Sequence, residues 1–231
     1  MISILIPAYN EKERIGATIA GVREIHRELE IIVADDGSDD NTAEEAEQAG
    51  AEVVLRLPHS GKGAALQAAY KISQGDTLLL LDADIGDSAR EAERLLDPVL
   101  SNHADMTIAI LPFINKGGGL GIVVRLARWG IKILTGYTSR SPLCGQRALR
   151  RSVIQELGGF ESGWGVEIGL TVGALRCGRR IMEVETPLRH RVTGRSFSEI
   201  LHRAAQAFAV VKVLFKLWIR YHNKASLSDS Q

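Results

Sequence analysis

Cysteine is nearly absent: the 231 residues hold two, Cys144 and Cys177. At that separation they form no metal-ligand spacing, and they suit the reduced thiols of a cytoplasmic protein. Long apolar runs are absent too. No stretch reaches the roughly 18 residues that a membrane-spanning helix needs. Met1 leads straight into a strand-like run, so no secretory signal is expected. Net charge is lacking in either sign, +0 at pH 7, so no global field draws nucleic acid and no nucleic-acid partner is expected. Two phosphate-binding signatures are also missing. There is no Gly-x-x-x-x-Gly-Lys-[Ser/Thr] loop, and no Gly-x-Gly-x-x-Gly follows the first strand. That argues against a Walker A loop and against a dinucleotide Rossmann site.

What is present is an ordinary globular composition, 45% hydrophobic and 24% charged, in a chain long enough to bury a sizeable core. The charge is unevenly spread. Most acids precede residue 106, while 116–224 is rich in Arg and Lys. That asymmetry suits a second half that meets an anionic substrate or a membrane surface.

The most informative stretch is Thr77-Leu78-Leu79-Leu80-Leu81-Asp82-Ala83-Asp84. A short apolar run of this kind reads as a strand buried on both faces, as in a parallel sheet. Asp82 and Asp84 then lie at its C-terminal end, where open α/β sheets place ligands. On an extended chain both side chains point the same way, which favours a shared cation such as Mg²⁺ or Mn²⁺. A solvated Asp-rich turn is the plain alternative.

Strand patterns at 2–6, 30–34, 52–57, 77–81 and 105–110 alternate with helical patterns at 11–28, 42–49, 64–73 and 88–101. The alternation predicts an α/β fold with a Rossmann-like, mostly parallel sheet flanked by helices. Asn10 is the expected N-cap of the first helix and Gly50 the residue closing the second. Pro98 is expected to bend or end the fourth helix late. Three strand ends carry polar loops on one rim, which reads as a substrate crevice. Gly61-Lys62-Gly63, at a helix start, is either an ordinary turn or an anion site.

The ordered set Ile6-Pro7-Ala8-Tyr9-Asn10-Glu11, Val33 to Thr42 (Val-Ala-Asp-Asp-Gly-Ser-Asp-Asp-Asn-Thr), Gly61-Lys62-Gly63-Ala64-Ala65 and Leu81-Asp82-Ala83-Asp84 resembles the family 2 glycosyltransferases of GT-A fold. The resemblance covers the first half of the chain. It implies a nucleotide-sugar donor, UDP- or GDP-linked. Pro7, Ala8, Tyr9, Glu11 and Asp36 would hold base and ribose, and Lys62 would lie near the nucleotide or its phosphates. Asp82, with Ala83 beside it, would contact the ribose or a metal-linked water. Asp84 would ligate the Mg²⁺ or Mn²⁺ that bridges the diphosphate.

The second half is less regular. Leu111–Leu120 holds Gly117, Gly118 and Gly119, and reads as a lid, an acceptor-binding loop or a linker. A helix is expected at 122–134, with Arg125, Arg128 and Lys132 facing water or a lipid surface. Pro142–Leu149 resembles the Ser-Gly-Phe-Arg segment of polyprenol-phosphate glycosyltransferases, with Cys144-Gly145-Gln146 in place of Ser-Gly-Phe. Arg147 would be its anion contact. Glu167, in the first turn of a helix running to about Cys177, is either a cap or, by the resemblance, the residue that acts as base or orients the acceptor. Trp164 would wall the pocket. His190 is expected as a further metal ligand, as in glucosyl-3-phosphoglycerate synthase-like members, with Arg189, Arg191 and Arg195 around it for diphosphate or an acidic acceptor. A last helix at 197–221 could pack on the domain, form a homodimer or lie on an anionic membrane.

The expected organisation is one domain over 1–222: a donor half at 1–110, an acceptor half at 111–195 and a C-terminal helix. A polar, disordered tail would follow at 223–231. The expected function is metal-dependent transfer of a sugar to an anionic acceptor, either a polyprenyl phosphate or a phosphorylated metabolite. A nucleotidyltransferase is the alternative, but it needs a Gly-rich basic loop after the first strand, which Pro7–Glu11 lacks. A non-catalytic nucleotide-sugar sensor is the other. It would be favoured if Asp84, Glu167 or His190 were absent, and all are present.

Overall fold

The computed structural model describes residues 1–112, 120–161, 165–189 and 210–220. Its centre is a seven-stranded sheet in the order β3-β2-β1-β4-β6-β5-β7. The strands are β1 (Ile2–Ala8), β2 (Leu29–Asp35), β3 (Val53–Arg56), β4 (Thr77–Leu80), β5 (Met106–Ile110), β6 (Arg147–Arg150) and β7 (Ile181–Glu185). The first four are mutually parallel, as the near-continuous Ile, Leu and Val runs predict. Apolar side chains of β1, β2 and β4 leave both faces of the sheet and enter two separate clusters. Ile4, Ile6, Ile31 and Leu79 go to one; Leu5, Ile32, Leu78 and Leu80 go to the other.

Helices α1 (Lys12–Arg23), α2 (Thr42–Gln48), α3 (Lys62–Ile72) and α4 (Glu93–Leu100) connect these strands, with a 3₁₀ segment at Gly86–Ala92. Gly50 takes φ 90° after α2, as expected of a helix-closing glycine. Pro98 sits inside α4, which ends two residues later. The first helix differs from expectation at both ends. It stops at Arg23, and Glu11, not Asn10, is the N-cap, without a side-chain cap bond. Asn10 is left-handed at φ 55°, and its side chain accepts the Asp39 amide at 3.0 Å instead. The Glu11 and Lys12 amides are capped from a distance by Thr42 Oγ1 and Asp40 Oδ2. That fixes α1 to the loop after β2.

The reversal in the sheet is β6. It runs antiparallel between β4 and β5, pairing Arg147 with Leu80 on one side and with Ile108 on the other. The turn before β6 therefore lies beside the end of β4. Helices α6 (Arg151–Leu157) and α7 (Val166–Arg176) pack with α3 on one face of the sheet, and α5 (Leu120–Thr135) and α8 (210–220) pack against α7. Helices α5, α7 and α8 share a third cluster around Ala127, Ile131, Ile168, Val172 and Leu217. The start of the expected 197–221 helix, and the 223–231 tail, lie outside the described residues.

Candidate active site

The polar rim forms where β1, β2 and β4 end and β6 begins. Its first layer is a self-supporting set of loops. Asp35 accepts the Ser38 amide at 3.1 Å. Asp36, buried at 4% exposure, takes the amides of Ser60 at 2.7 Å and Gly61 at 2.8 Å on its two oxygens. The His59 imidazole lies 3.1 Å from the same carboxylate. Asp36 thus pins the turn that starts α3, and the first residue of α3 is Lys62.

Lys62 Nζ donates to Asp82 Oδ1 at 2.7 Å and to Glu167 Oε1 at 2.9 Å. One ammonium therefore joins the end of β4 to the first turn of α7. Burial alone would lower the Lys62 pKa; the charges of Asp82 and then Glu167 outweigh it, so the ammonium is raised above its ordinary value. The other Asp82 oxygen accepts Gln146 Nε2 at 2.8 Å. Gln146 is fully buried, and its Oε1 lies 3.0 Å from Cys144 Sγ. Between these two residues, Gly145 passes directly over the ion pair. A Cβ there would sit 2.5 Å from Lys62 Nζ and 3.0 Å from both Asp82 oxygens.

Asp84 does not continue an extended strand. The chain leaves β4 at Leu80 and turns at Ala83 and Asp84. The same-side argument for Asp82 and Asp84 therefore fails as framed, although both carboxylates still lie on the rim. The turn is held by Thr18 of α1, whose buried hydroxyl donates to Ala83 O at 2.7 Å and accepts the Gly86 amide at 2.9 Å. Ala83 is buried, so only its backbone serves the site.

Arg147 corrects a second expectation. It is wholly buried rather than displayed on a rim. Nε donates to Cys144 O and Nη1 to Thr171 Oγ1, each at 2.9 Å, while Nη2 has no hydrogen-bond partner among the described residues. Thr171 in turn donates to Glu167 O at 2.8 Å. Burial lowers the Arg147 pKa, and the Glu167 charge works against that shift. The guanidinium supports α7 from beneath, where an acceptor on the surface does not touch it. With Lys62, it also balances the two carboxylates of Asp82 and Glu167 by charge.

Of the other expected donor residues, Tyr9 is exposed at the end of β1 and lies 4.4 Å, ring to ring, from His59. Pro7 and Ala8 belong to β1, and Ala8 is buried, its carbonyl accepting the Asp36 amide. Glu11 caps α1 as described. Gly118, Gly119, Trp164, His190 and Arg195 lie outside the described residues, as does Arg191. Among the described residues no group of three or more His, Cys, Asp or Glu forms a metal cluster. Sequence reasoning passed over Gln146, Gly145, Thr18 and His59. Gln146 carried a signal, since a polar side chain stood where the resembling segment has Phe.

The profile of glycosyl transferase family 2 matches residues 3–158. The chain belongs to that family, and its sheet and rim are those of the GT-A fold. Glycosyltransferase AglJ of Haloferax volcanii is 31% identical over 202 residues, 84% of this chain and 64% of its own length. The undecaprenyl-phosphate 4-deoxy-4-formamido-L-arabinose transferase of Pseudomonas paraeruginosa is 30% identical over 68% of this chain and 49% of its own length. The chain thus spans less than two thirds of these relatives. The dolichyl-phosphate hexose transferase of Haloferax volcanii is 26% identical over 95% of this chain and 96% of its own length. The crystal structure of glucosyl-3-phosphoglycerate synthase from Mycobacterium tuberculosis with Mn²⁺, uridine diphosphate and glucosyl-3-phosphoglycerate superposes with a TM-score of 0.75 at 29% identity. It covers 93% of this chain and 79% of that one. Another structure of that enzyme holds Mg²⁺ and uridine diphosphate.

Proposed function

We propose that this protein transfers a sugar from a nucleoside-diphosphate sugar, UDP- or GDP-linked, to a phosphate-bearing acceptor, with Mg²⁺ or Mn²⁺ as cofactor. The observation that carries the reading is Lys62, which links Asp82 on the donor rim to Glu167 on the acceptor side through one ammonium. A single side chain thereby couples the two halves of a transfer site. Family membership and the relatives' names support the acceptor class, because a polyprenyl phosphate or phosphoglycerate appears in each of the three that name one.

The donor atoms available suit a hard divalent cation. Asp84 and Asp82 both bring carboxylate oxygens to the rim, and Lys62 is a counter-charge to Asp82. Asp84 would hold the cation, with His190 as its further ligand. Bound there, the cation would offset the negative charge that develops on a departing nucleoside diphosphate. Tyr9 and His59 present aromatic faces for a base. Asp36 keeps the Lys62 turn in place and Gln146 fixes the Asp82 rotamer, so the donor meets a preset surface. Glu167, tethered by Lys62, orients the acceptor and accepts its proton when the attacking group is a hydroxyl. A phosphate acceptor attacks through an oxygen that is already ionised and needs no base.

Calorimetric titration of UDP, GDP, UDP-glucose and GDP-mannose, each with and without Mn²⁺, tests this. Metal-dependent binding of one of them is expected, and Asp84→Ala should abolish the metal dependence. Metal-independent binding that survives Asp84→Ala would remove the metal assignment. Binding with no transfer to any phosphate-bearing acceptor would leave a sugar-nucleotide sensor.

A further inference from the structure

Helices α5 and α8 each bury one face and expose another. On α5, Val123, Ala127, Ile131 and Leu134 are buried, while Ile122 at 72% exposure, Trp129 at 61% and Ile133 stand in the open. On α8, Val210 and Leu217 are buried, while Val211, Phe215 at 60%, Trp218 and Ile219 are exposed. Seven large apolar side chains on two helices exceed the scattered exposure normal for a soluble surface.

Helical geometry joins the two stripes into one. The helices touch at Gly130 and Leu214, which leave no room for a Cβ between them. With about 100° between successive residues, Gly130 lies on α5 between the buried face and the Ile122–Trp129–Ile133 stripe. By the same count, Leu214 lies on α8 between its buried face and the Val211–Phe215–Trp218 stripe. Both stripes therefore flank one contact line and form a continuous ridge.

The charges around this ridge have one sign. Neither 120–135 nor 210–220 contains an acidic residue. Arg125 and Lys132 border the outer edge of the α5 stripe, and Lys212 borders that of α8. All three are exposed. Lys216 and Arg220, further round α8, are instead paired with Glu161. An aromatic-rich apolar ridge with a cationic margin matches the headgroup layer of an anionic bilayer, where Trp rings settle and Lys and Arg meet lipid phosphates. No helix among the described residues is long and apolar enough to cross the membrane, so the contact is peripheral.

We propose that the α5–α8 ridge docks the protein on an anionic membrane surface. The proposal deepens the function given above and rests on it for its purpose, because it selects a lipid-linked phosphate as acceptor. The ridge is one helix away from the site. Helix α7 carries Glu167 and faces the ridge helices with Ile168 and Val172. Gly165, just before α7, packs against Val213 of α8 without space for a Cβ.

Cosedimentation of the full chain with vesicles tests the proposal without donor, acceptor or metal. Vesicles of phosphatidylcholine mixed with phosphatidylglycerol should bind it, and phosphatidylcholine alone should bind it much more weakly. Trp129→Glu with Phe215→Glu, and separately Lys132→Glu with Lys212→Glu, should each weaken binding at least about tenfold. Unchanged UDP affinity and thermal midpoint would show that these variants are folded. The charge-reversed pair keeps the test valid if the apolar pair misfolds. Wild-type protein that ignores mixed vesicles, or variants that bind as well as wild type, would overturn the proposal. So would a lipid-free dimer that the Trp129 and Phe215 changes dissociate, since the ridge would then belong to a second copy. Failure of sugar transfer would leave the vesicle result standing, and failure here would leave donor binding to its own titration.

Discussion

Lys62 and Glu167 are 105 positions apart in sequence, and their side chains meet at 2.9 Å. The same ammonium reaches Asp82 at 2.7 Å. Removing it leaves two partly buried carboxylates facing each other, and one of them must hold a proton more readily than before. Lys62→Met should therefore lower turnover by roughly a hundredfold. It should also move the acidic limb of the pH–rate profile to higher pH, because the loss of a cation raises the carboxyl pKa. Lys62→Arg keeps the charge and should restore the limb. Profiles that coincide for the wild type and the Met variant would show that Lys62 does not set the charge state of the site.

Gly145 is constrained by that pair. A methyl group placed there would meet Lys62 Nζ at 2.5 Å and both Asp82 oxygens at 3.0 Å. The lysine end can swing aside, but Asp82 is anchored by Gln146 at 2.8 Å. Gly145→Ala should break the Lys62–Asp82 bond and weaken donor binding by about tenfold, the worth of one charge-assisted hydrogen bond. Its melting temperature should fall as well, since Gly145 is buried and the Lys62–Asp82 pair beneath it is part-buried. Gly121→Ala, which meets nothing within 4 Å, serves as the control. If both variants bind donor equally well, the close approach has no functional weight.

The parallel half of the fold was legible because its strands are continuous apolar runs, and Thr77–Leu81 could hardly be anything else. Strand β6 was not. Arg147-Ala148-Leu149-Arg150 has two apolar residues, too few for periodicity, and its place in the sheet comes from pairing on both edges. Missing that strand hid the role of Gln146, which only an antiparallel neighbour of β4 could bring to Asp82. It also put Arg147 on a surface, when the reversed strand carries it inside. Asp82, Lys62 and Glu167 were each singled out from resemblance or helix position, but the bonds that join them were not foreseen, because nothing local links residue 62 to residue 167. Asn10 failed as a cap for a similar reason. Thr42 and Asp40, distant in sequence, already satisfied the amides it would have met.

Asp36 is expected to act through the loop it holds. Its two oxygens accept the Ser60 and Gly61 amides, and Lys62 follows directly. Asp36→Ala leaves two part-buried donors without acceptors, which costs about 1–3 kcal/mol for each buried group left unmade. Asp36→Asn retains one acceptor and turns its amide group toward the other donor, so its loss should fall between wild type and Ala. Urea midpoints for the three proteins should rank in that order, and donor KM should rise in the same order as the turn loosens. Stability unaffected by either change would mean that the turn is held by other contacts.

The two cysteines should differ sharply in reactivity. Cys177 is exposed. Cys144 is held against Gln146, and burial, with the Asp82 charge adding to it, pushes its thiol up from 9.0 to about 11. A disulfide reagent at pH 8 should therefore label one thiol quickly in the folded protein and the second only after unfolding, because the thiolate is the reacting species. The sign of the stability effect follows from the same shift. A group whose folded pKa is raised stabilises the fold fully below its unfolded value, and the contribution is lost as pH rises through about 11. Wild type should thus lose stability between about pH 9 and 11 by more than Cys144→Ala does, the alanine carrying no proton to release. Equal alkaline losses in the two proteins would show that the thiol next to Gln146 is not held neutral by its surroundings. Fast labelling of both thiols in the native protein would show that the turn over Lys62 and Asp82 opens freely, and the preset donor surface would go with it.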